Sequence, residues 1–234
     1  MAGEVGTSRS PRVLAVIPAR NEALRVGATV RATRRIPGVN EVVVVADGST
    51  DGTAERAQRA GARVLVAARG VGKGGALEAA VDRSDPADVY VFLDGDLAES
   101  AGQGGSFLEE VTAGRADLAI GTLPREPRHG GFRLVKRFAA GVIRRLAGFR
   151  SEEPLSGQRA LTREVLEAVR PLAPGFAVEV AMTIDAVRAG FRVVEVPVDM
   201  EHDPTGRDLA GFVHRGRQGL AVLRAAIPRI LRRP

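Results

Sequence analysis

The sequence predicts an α/β protein with a doubly wound, mostly parallel β-sheet. Short apolar runs such as VLAVI (13–17) and EVVVVAD (41–47) alternate with segments of helical periodicity. Strands that are apolar on both faces are typical of a parallel sheet covered by helices on both sides. Polar residues follow directly after four of these runs, and ligands bind at the carboxyl ends of parallel strands. We therefore expect four loops to converge on one site.

The alternation of strand and helix continues through the first half of the chain. Pro18 is expected to end the first strand, and Gly61 to end a helix, because Gly is favoured just past a helix C-terminus. The predicted elements are, in order, a strand over 13–17, a helix over 22–35, a strand over 41–47, a helix over 53–60, a strand over 62–68, a helix over 75–83, and strands over 89–93 and 116–121.

The second half of the chain has a different character. Residues 124–150 are basic, and no linker or internal repeat separates them from what precedes. The predicted elements here are a short strand over 156–160, a helix over 176–189, a strand over 191–200, and a mostly helical segment over 207–231.

Composition narrows the classes of function. The chain has 234 residues, of which 44% are hydrophobic, so it can build a substantial core. It contains no Cys, which excludes disulfides, thiolate metal ligands and Cys nucleophiles. Aromatic residues make up only 4%, which argues against binding single-stranded nucleic acid by stacking. We expect no nucleic-acid partner.

The formal charge of +6 favours an anionic partner, either a phosphorylated small molecule or an anionic membrane surface. A genome-wide preference for Arg codons explains the charge equally well. No apolar run reaches the roughly 18 residues that a membrane span requires. We expect a cytoplasmic protein, and peripheral contact with the inner face of the membrane is an open alternative.

Asp94 and Asp96 flank Gly95 directly after the fourth strand. Two carboxylates held this close repel each other unless a positive charge lies beside them. Mg²⁺ or Mn²⁺ provides such a charge and prefers carboxylate and phosphate oxygens, while Gly95 allows a sharp turn. This pattern predicts a divalent cation site, with a solvated turn as the alternative.

Two further loops carry candidate ligand-binding residues. Asp47 ends the second strand, where a carboxylate can hold a ribose or a base edge, although the following GSTDGT is also a good turn and helix cap. The loop RGVGKGGAL places Lys73 at a strand–helix junction, where helix N–H groups favour phosphate. It does not match the P-loop pattern, and a simple turn is the alternative.

The series VIPARNE, VVVVADGSTDGT, GVGKGGALEAAV and VFLDGDL resembles the family 2 type of glycosyltransferase with the GT-A fold, over about residues 12–122. The resemblance implies a Rossmann-like sheet and a sugar-nucleotide donor, for which we expect UDP as the nucleotide. It also implies that Lys73 lies by the nucleotide, and that Asp94 and Asp96 bind the ribose and the metal on the diphosphate. The residues it assigns to the base and ribose are Pro18, Ala19, Asn21, Glu22 and Asp47.

Two segments of the second half extend the resemblance. The segment EEPLSGQRAL (152–161) is similar to the family's acceptor loop. Backbone N–H groups around Ser156 and Gly157 are therefore candidates for binding the transferred sugar or an acceptor phosphate. The alternative is that this segment is a plain turn before a strand. PGFAVEVAM (174–182) is similar to a segment whose Glu reaches the sugar hydroxyls. Glu179 is that residue here, unless it is a structural partner of an arginine.

His202 follows the strand predicted over 191–200, and imidazole is a suitable ligand for Mn²⁺ or Mg²⁺ beside a carboxylate. Glucosyl-3-phosphoglycerate synthase-like enzymes have a metal-binding His at this place. The resemblance therefore implies that Asp96 and His202 hold the metal. Arg207 is expected to cover the diphosphate or an acceptor phosphate, with a solvated basic helix as the alternative.

Residues 125–150 predict a basic amphipathic helix. It either lies on an anionic membrane and presents a polyprenyl phosphate, or packs as an ordinary helix with its arginines outward, which we favour. The expected apolar face consists of Val135, Phe138, Ala139, Val142, Ile143 and Leu146.

Together these features predict a metal-dependent glycosyltransferase that uses a phosphorylated acceptor, either polyprenyl phosphate or a small acid such as 3-phosphoglycerate. The expected catalytic residues are Asp96, which carries the metal, Lys73, which supplies fixed positive charge, and Glu179, which lies near the sugar. A nucleotidyltransferase and a non-catalytic nucleotide-binding regulator are the alternatives. A nucleotidyltransferase would need a basic Gly-rich loop directly after the first strand. The sequence has PARNE (18–22) at that place, which argues against this alternative.

For domain organisation we expect a disordered N-terminus over 1–11 and one domain over 12–234. Its nucleotide-sugar-binding half would span 12–122, and its acceptor-binding half, with the basic amphipathic helices, 123–234. A homodimer is an open alternative to a monomer.

Overall fold

The computed structural model describes residues 9–67, 70–123, 131–201 and 229. Its centre is a seven-stranded sheet. The strands are β1 (Val13–Ala19), β2 (Val39–Asp47), β3 (Arg63–Ala67), β4 (Val89–Phe92), β5 (Leu118–Thr122), β6 (Arg159–Thr162) and β7 (Val193–Pro197).

Seven α-helices accompany these strands in the described part of the chain. They are α1 (Val26–Arg34), α2 (Thr53–Arg59), α3 (Gly72–Asp82), α4 (Gly104–Thr112), α5 (Gly131–Ala147), α6 (Arg163–Val169) and α7 (Val178–Arg188), with short 3₁₀-helices at Ala98–Gln103 and Gly175–Ala177.

The sheet has the strand order β3-β2-β1-β4-β6-β5-β7. All neighbouring pairs are parallel except those of β6, which runs antiparallel to both β4 and β5. The mostly parallel α/β sheet expected from the sequence is confirmed. Because β6 lies between β4 and β5, strands from both proposed halves of the chain share one sheet.

Alternate residues of the buried strands face two separate apolar layers. Along β1, Ala15 and Ile17 face a layer that includes α1, α2 and α4, whereas Leu14 and Val16 face α3, α6 and α7. Each of these four side chains is fully buried. Burying an aliphatic side chain of the size of Leu or Ile contributes about 1.5–3 kcal/mol, which explains why every residue of this strand segment is apolar.

The sequence predicted that Pro18 ends β1, and this prediction is wrong. The strand continues to Ala19, and Pro18 pairs with Val45 of β2. The backbone of Val16 faces β4, since its carbonyl accepts from Leu93 N at 3.1 Å. Pro18, two residues further, faces the same side but lies beyond the end of the β4 ladder. Its missing N–H therefore costs no inter-strand hydrogen bond.

Two helix starts differ from the sequence prediction. Helix α3 begins at Gly72 rather than residue 75, so Lys73 lies in its first turn. Helix α1 begins at Val26 rather than residue 22. The preceding residues form a turn in which the Glu22 and Ala23 N–H groups donate to side chains of the next loop instead of joining the helix.

Helices α4 and α6 were not predicted from the sequence. Helix α4 begins inside the Gly-rich stretch that follows Asp96, where helix propensity is low. Packing outweighs propensity here: Phe107, Leu108 and Val111 are buried against the sheet. Gly104 allows this approach, because a Cβ there would lie 3.1 Å from Ile36 Cδ1.

Helix α5 packs on α7 rather than directly on the sheet, with Ala139 and Ile143 buried against Val180 and Ile184. Phe138, expected on the buried face, is 43% exposed. No helix in the described ranges is long and apolar enough to cross a membrane. The predicted C-terminal helix lies outside the described residues, apart from position 229.

Candidate active site

The candidate site lies at the carboxyl ends of β1, β2 and β4, where hydrogen bonds join the first two loops. Asn21 has a positive φ of 57°. Its N–H donates to Ser49 Oγ at 3.1 Å, and its side-chain oxygen accepts from Thr50 N at 3.0 Å. Glu22 N donates to Thr53 Oγ1 at 2.9 Å. The Asn21 side chain thus connects the two loops and holds the first one in place.

Asp47 is buried at the end of β2, and its two carboxylate oxygens differ in their surroundings. Oδ2 accepts from Gly72 N at 3.0 Å. Oδ1 is buried and has no hydrogen-bond partner within the described structure. A buried acceptor without a donor is costly, and native proteins rarely leave one unpaired. Asp47 therefore has the properties expected of a residue that accepts a hydrogen bond from a polar ligand.

The turn that carries Asp94 and Asp96 is fixed against β1 and α1. A Cβ on Gly95 would lie 3.0 Å from Ala19 Cβ, so only Gly permits this contact without a shift. Thr29, fully buried in α1, donates to Gly95 O and accepts from Ala98 N, both at 2.9 Å. Sequence reasoning missed Thr29, since a Thr inside a helix carries no signal of a contact 66 positions away.

Lys73 joins two carboxylates that are far apart in the sequence. Its Nζ lies 2.6 Å from Asp94 Oδ1 and 2.9 Å from Glu179 Oε1. Burial alone would lower the pKa of Lys73, but the charges of Asp94 and Glu179 outweigh it and hold the pKa above its ordinary value. The structure therefore brings together three residues that the sequence assigned to the site, with Lys73 charged between the other two.

Gln158 completes this cluster and was also missed from the sequence. Its side-chain nitrogen donates to Asp94 Oδ2 at 2.7 Å, and its side-chain oxygen accepts from Asp94 N at 3.1 Å. With Lys73 on Oδ1, both oxygens of the Asp94 carboxylate are engaged within the protein. The Asp94 carboxylate is therefore held in place by two different side chains.

Gly157 lies against the same cluster, where any side chain would force the ends of Lys73 and Asp94 to shift. A Cβ at this position would lie 2.9 Å from each carboxylate oxygen of Asp94 and closer still to Lys73 Nζ. The predicted importance of Gly157 thus has a steric basis in addition to its backbone N–H.

Ser156 holds its turn in place within the protein. Its hydroxyl donates to Gly121 O at 2.6 Å, and its N–H donates to Glu153 O at 3.1 Å. Both donors of Ser156 are thus used to join the turn before β6 to β5 and to the preceding loop. Its direct contact with substrate stays a prediction.

Asp96 lies at the rim of the site, and its carbonyl oxygen accepts from Arg25 Nη1 at 3.2 Å. His202 and Arg207 lie outside the described residues. Within the described ranges no cluster of three or more His, Asp or Glu side chains could hold a metal ion. A carboxylate at this strand end has the donor chemistry that Mg²⁺ or Mn²⁺ prefers.

A mostly parallel sheet with polar and charged side chains gathered at its strand ends defines an open α/β protein with a ligand site at that edge. Comparison with known proteins identifies the family. The sequence model of Glycosyl transferase family 2 matches residues 14–173, and the chain belongs to this family.

Two curated relatives and one solved structure illustrate the similarity. The chain is 34% identical over 200 residues to Glycosyltransferase AglJ of Haloferax volcanii, a match that covers 84% of this chain and 65% of AglJ. It is 32% identical over 218 residues to polyprenol monophosphomannose synthase of Mycolicibacterium smegmatis, covering 84% of this chain and 81% of that protein. The chain therefore spans slightly less than two thirds of AglJ.

The solved structure is that of glucosyl-3-phosphoglycerate synthase from Mycobacterium tuberculosis in complex with Mn²⁺, UDP and glucosyl-3-phosphoglycerate. It superposes with a TM-score of 0.75 at 27% identity and covers 92% of this chain and 80% of that chain. The expected GT-A fold and the resemblance to both groups of synthases are confirmed.

Proposed function

We propose that this protein transfers a sugar from a nucleoside-diphosphate sugar, with UDP as the nucleotide, to a phosphorylated acceptor. The observation that carries the proposal is the contact of Lys73 with both Asp94 and Glu179, at the same edge of the sheet as the Asp47 oxygen that has no partner among the described residues. The solved relative with UDP and a glucosylated acid supports this choice of donor and acceptor chemistry.

In this proposal the loops after β1 and β2 bind the nucleoside. Asp47 accepts a hydrogen bond from the ribose or the base through the oxygen that has no partner within the described structure. The nucleoside would also be lined, at the end of β1, by Pro18, Ala19 and Glu22. Asn21 keeps that loop in place through its contacts with the next loop.

Asp96 would hold Mg²⁺ or Mn²⁺, together with His202. The bound cation supplies Lewis-acid stabilisation of the departing diphosphate. Lys73 contributes fixed positive charge near the same position, where negative charge develops during transfer. Arg207 is proposed to add to this charge. Asp94 organises the site through its contacts with Lys73 and Gln158 rather than by binding the metal.

Glu179 is proposed to bind hydroxyls of the transferred sugar. It is almost fully buried in the first turn of α7, with one carboxylate oxygen on Lys73. Carboxylates accept hydrogen bonds from hydroxyl groups on up to four lone-pair sites, so Glu179 retains acceptor capacity beside Lys73.

Two classes of acceptor are supported by different observations. A small phosphorylated acid is supported by the solved relative, which covers 92% of this chain. A polyprenyl phosphate is supported by the curated mannose synthase and by the exposed Leu134 and Phe138, which lie among arginines on the outer face of α5. In the second case we propose that α5 contacts an anionic membrane.

A screen of UDP-, GDP- and ADP-sugars, read as nucleotide release with and without Mg²⁺ or Mn²⁺, tests the proposed activity. Each donor is paired with 3-phosphoglycerate or with a polyprenyl phosphate in detergent. We expect metal-dependent UDP release with one acceptor class, and product in the lipid phase only for the polyprenyl acceptor. Release of pyrophosphate from a nucleoside triphosphate and a sugar phosphate would instead identify a nucleotidyltransferase, and binding without turnover a regulator.

Cytoplasmic location, a homodimer and the division into two functional halves at residue 122 stay predictions. Sedimentation with and without anionic vesicles measures both the oligomeric state and the membrane contact.

A further inference from the structure

Arg159 is a charged side chain in the core of the protein. It lies on β6, opposite Phe92 of β4 and Ile120 of β5, and is only 1% exposed. Its Nε donates to Ser156 O at 2.9 Å, and its Nη1 donates to Thr183 Oγ1 at 3.0 Å. Its position in the middle of the sheet explains why it is buried, but not why it is an arginine.

The charge of Arg159 has no counter-ion in direct contact among the described residues. Nη2 is buried and has no hydrogen-bond partner there. Burial lowers the pKa of Arg159 to about 10, although the charges of Glu179 and Glu195 oppose this shift, so the guanidinium stays protonated at neutral pH. A buried charge of this kind is costly unless something compensates it.

A small cavity lies between Arg159 and the candidate active site. Its volume of about 10 Å³ is close to the minimum that holds one water molecule. Its accessible lining is almost entirely apolar, so it is a gap in the packing between Arg159 and Glu179 and not a water site. The lining residues are Lys73, Leu77, Phe92, Gly157, Arg159, Val178, Glu179 and Met182.

Arg159 is also linked by hydrogen bonds to two segments that border the Lys73 cluster. On one side its Nε holds the carbonyl of Ser156, two residues before Gln158, which binds Asp94. On the other side Thr183, which accepts from Nη1, donates to the backbone oxygen of Glu179 at 2.9 Å. One guanidinium therefore connects the turn before β6, whose Gln158 binds Asp94, to α7, which carries Glu179.

We propose that Arg159 is a positioning residue for the sugar-binding side of the site, acting on Glu179 through Thr183, which accepts from Arg159 Nη1 and donates to the backbone oxygen of Glu179. The inference rests on the proposed function, because it concerns the part of the donor that Glu179 would bind. The nucleoside is bound elsewhere, at the ends of β1 and β2. Loss of Arg159 should therefore weaken binding of the sugar and spare binding of the nucleotide.

Calorimetric titration of UDP and of UDP-glucose in the presence of Mn²⁺ tests this for Arg159→Gln and Arg159→Lys. A charge-assisted hydrogen-bond network of this kind is worth about a tenfold change in affinity or more. We expect Arg159→Gln to bind UDP-glucose about tenfold more weakly, while UDP affinity changes less than about threefold. Arg159→Lys, which keeps the charge but cannot reproduce the forked contacts with Ser156 O and Thr183 Oγ1, should show a smaller selective loss.

Arg163→Gln serves as the matched control. The Arg163→Gln substitution also removes side-chain hydrogen bonds, those to Ala87 O and to Asp88 Oδ1. These bonds lie at the opposite end of β4 from the site. Its substitution should leave the ratio of the two affinities unchanged.

If both affinities fall together in the Arg159 variants, or if neither falls, the positioning role is wrong. Should Arg159→Gln fail to fold, the Lys variant decides by the same criterion. A wild-type protein that binds neither UDP nor UDP-glucose would overturn the proposed function itself, and this inference with it. If the wild type binds both UDP and UDP-glucose and the ratio of the two affinities is unchanged in the Arg159 variants, this inference alone is overturned.

Discussion

Gln158 and Asp94 exchange two hydrogen bonds: Asp94 N donates to Gln158 Oε1 at 3.1 Å, and Gln158 Nε2 donates to Asp94 Oδ2 at 2.7 Å. The pair joins the end of β4 to the turn before β6. It leaves Asp94 Oδ1 for Lys73, so the first Asp of the D-G-D turn is held by the protein on both oxygens.

Gln158→Leu should therefore lower activity and stability together. The substitution leaves Asp94 N without its acceptor and removes a donor from the carboxylate, which costs about 1–3 kcal/mol. Urea denaturation measures the loss of stability, and nucleotide release the loss of turnover. Gln103→Leu, at an exposed position in the 3₁₀-helix before α4, is the control and should change neither.

Lys73→Met should destabilise the protein and abolish transfer, because it leaves the carboxylates of Asp94 and Glu179 without their shared cation. Removing one partner of a buried ion pair costs about 3–5 kcal/mol, and the partial exposure of Asp94 reduces this figure. Adding Glu179→Gln to Lys73→Met should recover part of the stability but not the activity. Full additivity in this double-mutant cycle would show that the two residues are not coupled.

The pH dependence of stability gives an independent test of the Lys73 contacts. The pKa of Lys73 is higher in the folded than in the unfolded protein. Its contribution is therefore fully present below the unfolded pKa of about 10.4 and is lost as pH rises through the folded pKa. The difference in unfolding free energy between wild type and Lys73→Met should be constant from neutral pH to about pH 10 and shrink above it. The only other lysine is Lys136, so Lys136→Met is a natural control.

Gly157→Ala should reduce activity at least about tenfold, since its Cβ would displace Lys73 Nζ and crowd both oxygens of Asp94. Steady-state kinetics measure the effect. Gly141→Ala, in helix α5, is the matched control: nothing lies within 4 Å of its Cβ position. That variant should be active and up to about 1 kcal/mol more stable, because Ala is the better helix former. Equal activity of the two variants would contradict the steric account.

Asp96→Ala should abolish Mn²⁺-dependent binding of UDP in calorimetry, because Asp96 is the proposed metal ligand on the D-G-D turn. Asp85→Ala, at an exposed position before β4, should bind as the wild type does. If Asp96→Ala retains metal-dependent binding, the metal is held by other residues.

The strand-end residues were predictable from the sequence because each follows its own strand directly. Asp47 and Asp94 needed only the strand pattern and the rule that parallel strands end at the ligand. The contact of Gln158 with Asp94 was not predictable although Gln158 lies in the SGQRAL segment, because the two residues are 64 positions apart. Thr29 was not predictable because its helix carries no motif and its contact with Gly95 lies 66 positions away. Helix α4 was missed for a related reason: its Gly-rich start has low helix propensity, and the packing of Phe107, Leu108 and Val111 stabilises it instead.

Mass spectrometry of the acceptor after incubation with UDP-glucose and Mg²⁺ or Mn²⁺ tests the central claim most directly. We predict that 3-phosphoglycerate or a polyprenyl phosphate gains one hexose, with release of one UDP for each product, and that Asp96→Ala forms none. A wild-type protein that leaves every phosphorylated acceptor unmodified with UDP-, GDP- and ADP-sugars, while metal is present, would contradict the assignment as a glycosyltransferase.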